Sequence, residues 1–193
     1  MKHRRNLRNL LLVVLSTLPI ALLTSLAWRG HTEAGEISLV ANIGERTLTV
    51  QRGDEIVKVY DVAVGTGRHP TPTGSYSIRK IVWNPAWIPP DRAWARDKVP
   101  QGPGDPENPM KVVKIFFREP DFFIHGTGAT GSLGTAASHG CLRMDPDEAG
   151  DLALMLMEDT GISRDWDWVK NILHMGESRT VSLRQAVPMR VVE

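Results

Sequence analysis

Residues 36–65 read "EISLVANIGERTLTVQRGDEIVKVYDVAVG", and the alternation in this stretch decides the fold class. Ile37, Leu39, Ala41 and Ile43 recur at every second position, as do Leu48 and Val50, and a third apolar run extends from Ile56 or Val57 to Val64. A period of two puts one side of each run on a buried face, which marks strands rather than helices. Gly44-Glu45 and Arg52-Gly53-Asp54 separate the runs with turn chemistry, so the stretch predicts an antiparallel meander.

Working outward, Thr71-Pro72-Thr73-Gly74 fits a type I turn, with proline second and glycine fourth, and a strand over Tyr76–Trp83 should follow. "KVVKIFF" and "FFIHG" read as two more strands, and "RTVSLRQAVPMRVV" as a last one that Pro188 assigns to an edge or a bulge. Two short helices interrupt this pattern. In the first, Asp145 is the N-cap, Pro146 takes the first helical position, Glu148 closes a capping box and Gly161 stops the helix. Its Leu152, Met155 and Leu156 should face the core. The second, within "SRDWDWVKNIL", is expected to be capped by Ser163. The chain is therefore mainly β with short helices (α+β), folded as a curled sheet or a sandwich. Residues 84–110, rich in proline, tryptophan and charge, form a long surface loop. Loops of that length inside a compact domain are usually functional, and Trp87 and Trp94 suggest a rim that packs or binds.

The amino terminus obeys different rules. Lys2, Arg4, Arg5 and Arg8 precede an apolar run from Leu10 to Leu26, and Ser25-Leu26-Ala27 supplies small residues for cleavage. Residues 1–27 are read as a secretory signal, with an uncleaved signal anchor in the inner membrane as the alternative, and 28–35 as a linker. Either reading exports the domain, placing it in the periplasm or cell envelope, with residues 10–28 as the anchor in the second case. Four of the 23 Lys and Arg residues and none of the 22 Asp and Glu lie in residues 1–27, so the remainder holds 19 against 22, a formal net of −3. Without a basic stripe, nucleic acid is not an expected partner.

Export gives the single cysteine its meaning. Cys141 cannot form an internal disulfide, and an unpaired thiol in an oxidising compartment is a liability unless it does chemistry. It sits in "SHGCLRM", residues 138–144, with His139 two positions before it and His125 sixteen positions upstream across a small-residue loop. A thiol attacks as thiolate and needs a base or a positive neighbour. On spacing alone either histidine could serve. Gly140 permits an unusual backbone turn that would aim the N–H groups of His139, Gly140 and Cys141 at a developing oxyanion. Arg143 could clamp a substrate carboxylate, or else pair with Asp145, Asp147 or Glu148. His125, His139 and Cys141 would also number enough for a catalytic zinc, but their spacing matches no common zinc pattern, so neither metal nor cofactor is expected.

The paired boxes His125-Gly126-Thr127 and Ser138-His139-Gly140-Cys141-Leu142-Arg143 resemble those of the L,D-transpeptidase catalytic domain. The likeness extends through "TPTGSYSI", "NPAWIPP" and "VSLRQAVPMRV", and so covers about residues 36–191. It implies a catalytic domain over residues 36–193, built as a β-sandwich or curled mixed sheet. It implies that Cys141 attacks the bond before the terminal D-alanine of a peptidoglycan tetrapeptide stem. A thioester would form, and an amine of an acceptor stem would resolve it as a 3→3 cross-link. Relatives that hydrolyse the bond (L,D-carboxypeptidases), or that attach or release a lipoprotein, use the same acyl-enzyme. By this resemblance His125 is the proton donor and acceptor, oriented by the Gly126 carbonyl. His139 and Gly140 form the oxyanion site, and Arg143, Ser138 and Trp87 meet substrate. One departure is visible: relatives often carry glycine after "NP" and an apolar residue, where this chain has Lys111.

Overall fold

A computed structural model of the chain describes residues 35–193. The predicted export segment and nearly all of the linker lie outside the described residues. The opening stretch becomes β1 (Ile37–Asn42), β2 (Thr47–Arg52) and β3 (Glu55–Asp61), paired antiparallel in sequence order. Ile37, Leu39, Ala41, Leu48 and Val50 are buried, as the alternation requires. The third run departs from it. Tyr60 is the one buried residue of β3, while Ile56, Val57 and Val59 face solvent, because β3 is an edge strand with a register shift opposite Val50 and Gln51.

The remaining strands are β4 (Val64–Gly65), β5 (Gly74–Trp83), β6 (Lys111–Arg118), β7 (Phe122–Gly126), β8 (Ala136–Ser138), β9 (Leu142–Met144) and β10 (Arg179–Val192). Eight strands form one sheet in the order β3-β2-β1-β10-β5-β6-β7-β9, and β4 pairs with β8. The sheet is mixed, since β1–β10 and β7–β9 run parallel. Just beyond β3, Ala63 exchanges both backbone hydrogen bonds with Arg143 of β9, each at 2.9 Å. That bridge brings the two edges together, so the sheet curls until it is nearly closed.

Inside the curl lies one apolar core, with Ile78, Ile81, Trp83, Ile115, Ile124 and Leu142 among its fully buried members. Helix α1 (Pro146–Asp159) packs on β6 and β7 and contributes Leu152, Ala153, Leu156 and Met157, with Met155 partly buried against the same core. Asp145 caps it as expected by accepting from the Asp147 and Glu148 amides, although Glu148 does not return the bond. Gly161, at φ +79°, ends it. Helix α2 (Trp166–Met175) starts later than the sequence suggested. Asp165, not Ser163, is its N-cap, because the Asp165 carboxylate reaches the Trp168 amide at 2.9 Å.

One further expectation changes, and another resolves between its two alternatives. The reversal before β5 occurs at residues 66–69, where the His69 N–H donates to the Thr66 carbonyl, and not at Thr71–Gly74. Gly74 instead begins the strand at φ +143°. Pro188 lies in a central strand, between β1 and β5, so of the two places expected for it, an edge or a bulge, it takes the bulge. The sheet tolerates it because the β10–β5 register breaks between Ser182 and Val187, directly before the proline.

Candidate active site

Strand register gathers the predicted residues. Ile115, Ile124 and Leu142 pair across β6, β7 and β9 and point into the core, so the next row, Lys114–His125–Arg143, points out of the opposite face. A bulge in β6 separates the Lys111–Gly126 pair from the Lys114–His125 pair, with Val112 at φ +61° inside it. Val112 accepts a hydrogen bond from the Asn84 N–H at 2.7 Å, and Asn84 is itself at φ +44°. Two left-handed residues thus close the neck of the 84–110 loop beside this row. Left-handed backbone in a β-branched residue is strained, and such strain collects where geometry matters for function.

His125 is buried, 3% exposed, and its Nδ1 lies 2.8 Å from the Gly126 carbonyl oxygen. A carbonyl only accepts, so Nδ1 carries the proton and Nε2 keeps a free lone pair. Burial pushes the His125 pKa down to about 3, the Gly126 carbonyl opposes that, and Arg143 and Lys114 add to it. The imidazole is therefore neutral at ordinary pH. No other residue fits at 126, because a Cβ there would stand 2.5 Å from the Lys111 carbonyl oxygen and 2.9 Å from Pro146 Cα.

Cys141 follows the bend between β8 and β9. Its thiol is half-buried, and burial pushes it up to about 11 against the opposing pull of the Phe123 N–H, Lys114 and Arg143. Sγ lies 3.4 Å from the Asp121 carbonyl oxygen, and no hydrogen bond among the described residues joins it to His125. The resting pair is a thiol and a neutral imidazole rather than an ion pair. His139 points elsewhere. Its ring stacks on Trp94 at 3.9 Å between centroids and 18° between planes, with His69 4.8 Å away on another side. The histidine closest in sequence to the thiol is thus committed to the loop above it.

The box holds itself in shape. Ser138 Oγ donates to the Cys141 carbonyl at 2.5 Å and accepts from the Gly140 N–H at 3.0 Å. Ser138, 1% exposed, thus braces the turn from inside, and the Gly140 N–H is spent on it. The His139 and Cys141 N–H groups have no acceptor among the described residues. Gly140 contributes conformation instead: φ is +110°, and a Cβ would sit 2.7 Å from Phe122 Cε1 and 3.2 Å from the Pro70 carbonyl oxygen. Gly140→Ala is expected to cost about 1–3 kcal/mol of stability and to alter alkylation of Cys141, as read by thermal unfolding and thiol labelling.

Of the two tryptophans expected at the rim, Trp94 is the one that reaches the cysteine box. Trp87 pairs with Gln101 within the loop by two 2.9 Å backbone hydrogen bonds. Arg92 adds a 3.7 Å ion pair with Asp121. Arg143 forms none of the ion pairs considered for it with Asp145, Asp147 or Glu148, and no carboxylate of the described residues lies within 4.0 Å of its guanidinium. Lys114 was not singled out in the sequence. Only the pairing register reveals that this lysine stands beside His125.

The family model described as the L,D-transpeptidase catalytic domain matches residues 36–169. A Fuscovulum blasticum protein from the ATP synthase subunits region, named as an L,D-transpeptidase, is 32% identical over 122 residues, covering 60% of this chain and 63% of that protein. Bacillus subtilis YkuD, likewise named, is 26% identical over 125 residues, covering 65% of this chain and 63% of its own length. The chain thus spans less than two thirds of the length of these relatives. Among solved structures, the catalytic domain of an E. faecium L,D-transpeptidase superposes with a TM-score of 0.50 at 13% identity, covering 82% of this chain and 98% of that one, which is a likeness of fold.

Proposed function

The chain belongs to the L,D-transpeptidase catalytic-domain family, and from that premise we propose that Cys141 is the nucleophile of an acyl transfer between peptidoglycan stem peptides. The observation that carries the reading is the His125 tautomer. Its Nδ1–H is spent on Gly126, which leaves Nε2 as a proton acceptor on the strand that pairs directly with the one following Cys141.

The chemistry follows from the resting protonation states. Because the thiol holds its proton tightly and the imidazole is neutral, proton transfer must accompany attack. The thiol leaves Asp121, turns towards Nε2 and gives up its proton as Sγ bonds to the carbonyl carbon before the terminal D-alanine. The oxyanion takes the free N–H groups of His139 and Cys141. As the C–N bond breaks, His125 returns the proton to the departing D-alanine amine and a thioester remains. An acceptor amine then attacks the thioester carbon, His125 removes its proton, and Sγ leaves and is reprotonated. The product is a 3→3 linked dimer. Arg143, which has no carboxylate partner among the described residues, takes a substrate carboxylate in this reading. With residues 1–27 read as an export segment, the domain meets this substrate outside the inner membrane.

Incubating the protein with a disaccharide-tetrapeptide and separating the products tests the reading. Cross-linked dimer and free D-alanine are expected. Tripeptide without dimer would reassign the acceptor to water, and unchanged substrate with folded protein would sink the proposal.

A further inference from the structure

We propose that Lys114 is a positioning residue for Cys141: its ammonium, fixed on the outer face of β6 beside His125, supplies the positive potential that stabilises the thiolate as the proton leaves. This rests on reading Cys141 as a reactive thiol. Lys114 pairs directly with His125, and His125 with Arg143, so the three form one row across the sheet. Nζ donates to the Ala86 carbonyl at 3.0 Å and lies 4.8 Å from the centre of the Phe123 ring. The Phe123 N–H is itself directed at the thiol, so ammonium and sulfur flank the same residue.

A second lysine on the same sheet face provides the contrast. Lys80, paired with Phe116 one row away, lies 4.5 Å from that ring just as Lys114 lies over Phe123, but it is paired with the Glu119 carboxylate. Among the described residues, no carboxylate is within 4.0 Å of Lys114. A carbonyl oxygen orients an ammonium without cancelling its charge, whereas a carboxylate largely neutralises it. The lysine nearer the thiol is the one whose field is left intact, at the cost of partial burial without a counter-ion. The other charged or titratable groups around the thiol are Asp121 before β7, paired with Arg92 of the loop, His125 of β7, Arg143 of β9, and His139 with His69 beside it. Of these, only Arg143 adds a second unneutralised positive charge.

Because Cys141 is the only cysteine in the chain, its alkylation by iodoacetamide gives a clean readout that needs no peptidoglycan. Rates measured across pH 6 to 11 should rise at higher pH in Lys114→Met and Lys114→Gln than in wild type. At pH 8 they should alkylate roughly fivefold to tenfold more slowly, the effect of one charge at this range. Lys114→Arg should restore most of the rate, and Lys80→Met should match wild type. Superimposed profiles for folded neutral variants would overturn the proposal, as would an equal shift in Lys80→Met or no rescue by arginine. Failure of both neutral variants to fold would make Lys114 structural and overturn it too. Absence of tetrapeptide turnover would count against the transpeptidase reading and leave this test standing.

Discussion

With Cys141 replaced by alanine, formation of dimer and release of D-alanine are expected to fall by at least about 10³-fold while the thermal unfolding midpoint changes little. The size follows from the absence of a substitute. No second cysteine exists in the chain, and Ser138, the nearest hydroxyl, is buried and donates its proton to the Cys141 carbonyl. The small change in stability follows from position. The thiol is half-buried at a bend, outside the core, and its hydrogen bond to the Asp121 carbonyl is long, at 3.4 Å. Product release measured beside unfolding curves separates the two effects. Retained turnover in a folded Cys141→Ala protein would move the chemistry to another group.

Replacement of His125 should cost almost as much activity, and it should also change how stability depends on pH. Removing a general base typically costs about 10²–10⁴-fold, and the high pKa of the thiol puts His125→Gln towards the upper end, because little thiolate forms unaided. The effect on stability has a definite sign. The folded-state pKa of His125 lies near 3, below its ordinary value of 6.5. As pH falls from 6.5 towards 3, the unfolded chain binds a proton at this position and the folded chain does not, so acid lowers stability through that window. Above pH 6.5 the contribution is fully present. Urea unfolding at a series of pH values should therefore show a steeper acid decline in wild type than in His125→Gln. Parallel slopes would mean that the buried imidazole is not held neutral.

The early part of the chain was the most legible. Residues 36–52 alternate cleanly because each of those strands has one buried face, and β1 and β2 form as the pattern demands. The pattern misleads at β3, where Ile56, Val57 and Val59 look like a core run but lie on an edge that nothing described covers. Pro188 marked an edge or a bulge, and only the strand order separates the two: the register break lies in β10, three strands from the nearest edge strand. At the site, the lone thiol beside an expected export segment pointed to Cys141, and the paired boxes to His125, Gly126 and Gly140. Roles that depend on non-local contacts could not be read. Ser138 turned inward, Trp94 reached the box, and Lys114 joined the row only through its register with His125.

The most direct test of the central claim is the intact mass of the protein after brief exposure to a tetrapeptide donor without acceptor, followed by peptide mapping. A covalent adduct equal to the donor less its terminal D-alanine, carried by the peptide containing Cys141 and absent from Cys141→Ala, is the expected result. An adduct on any other residue, or turnover with no thioester trapped at any time, would contradict the account.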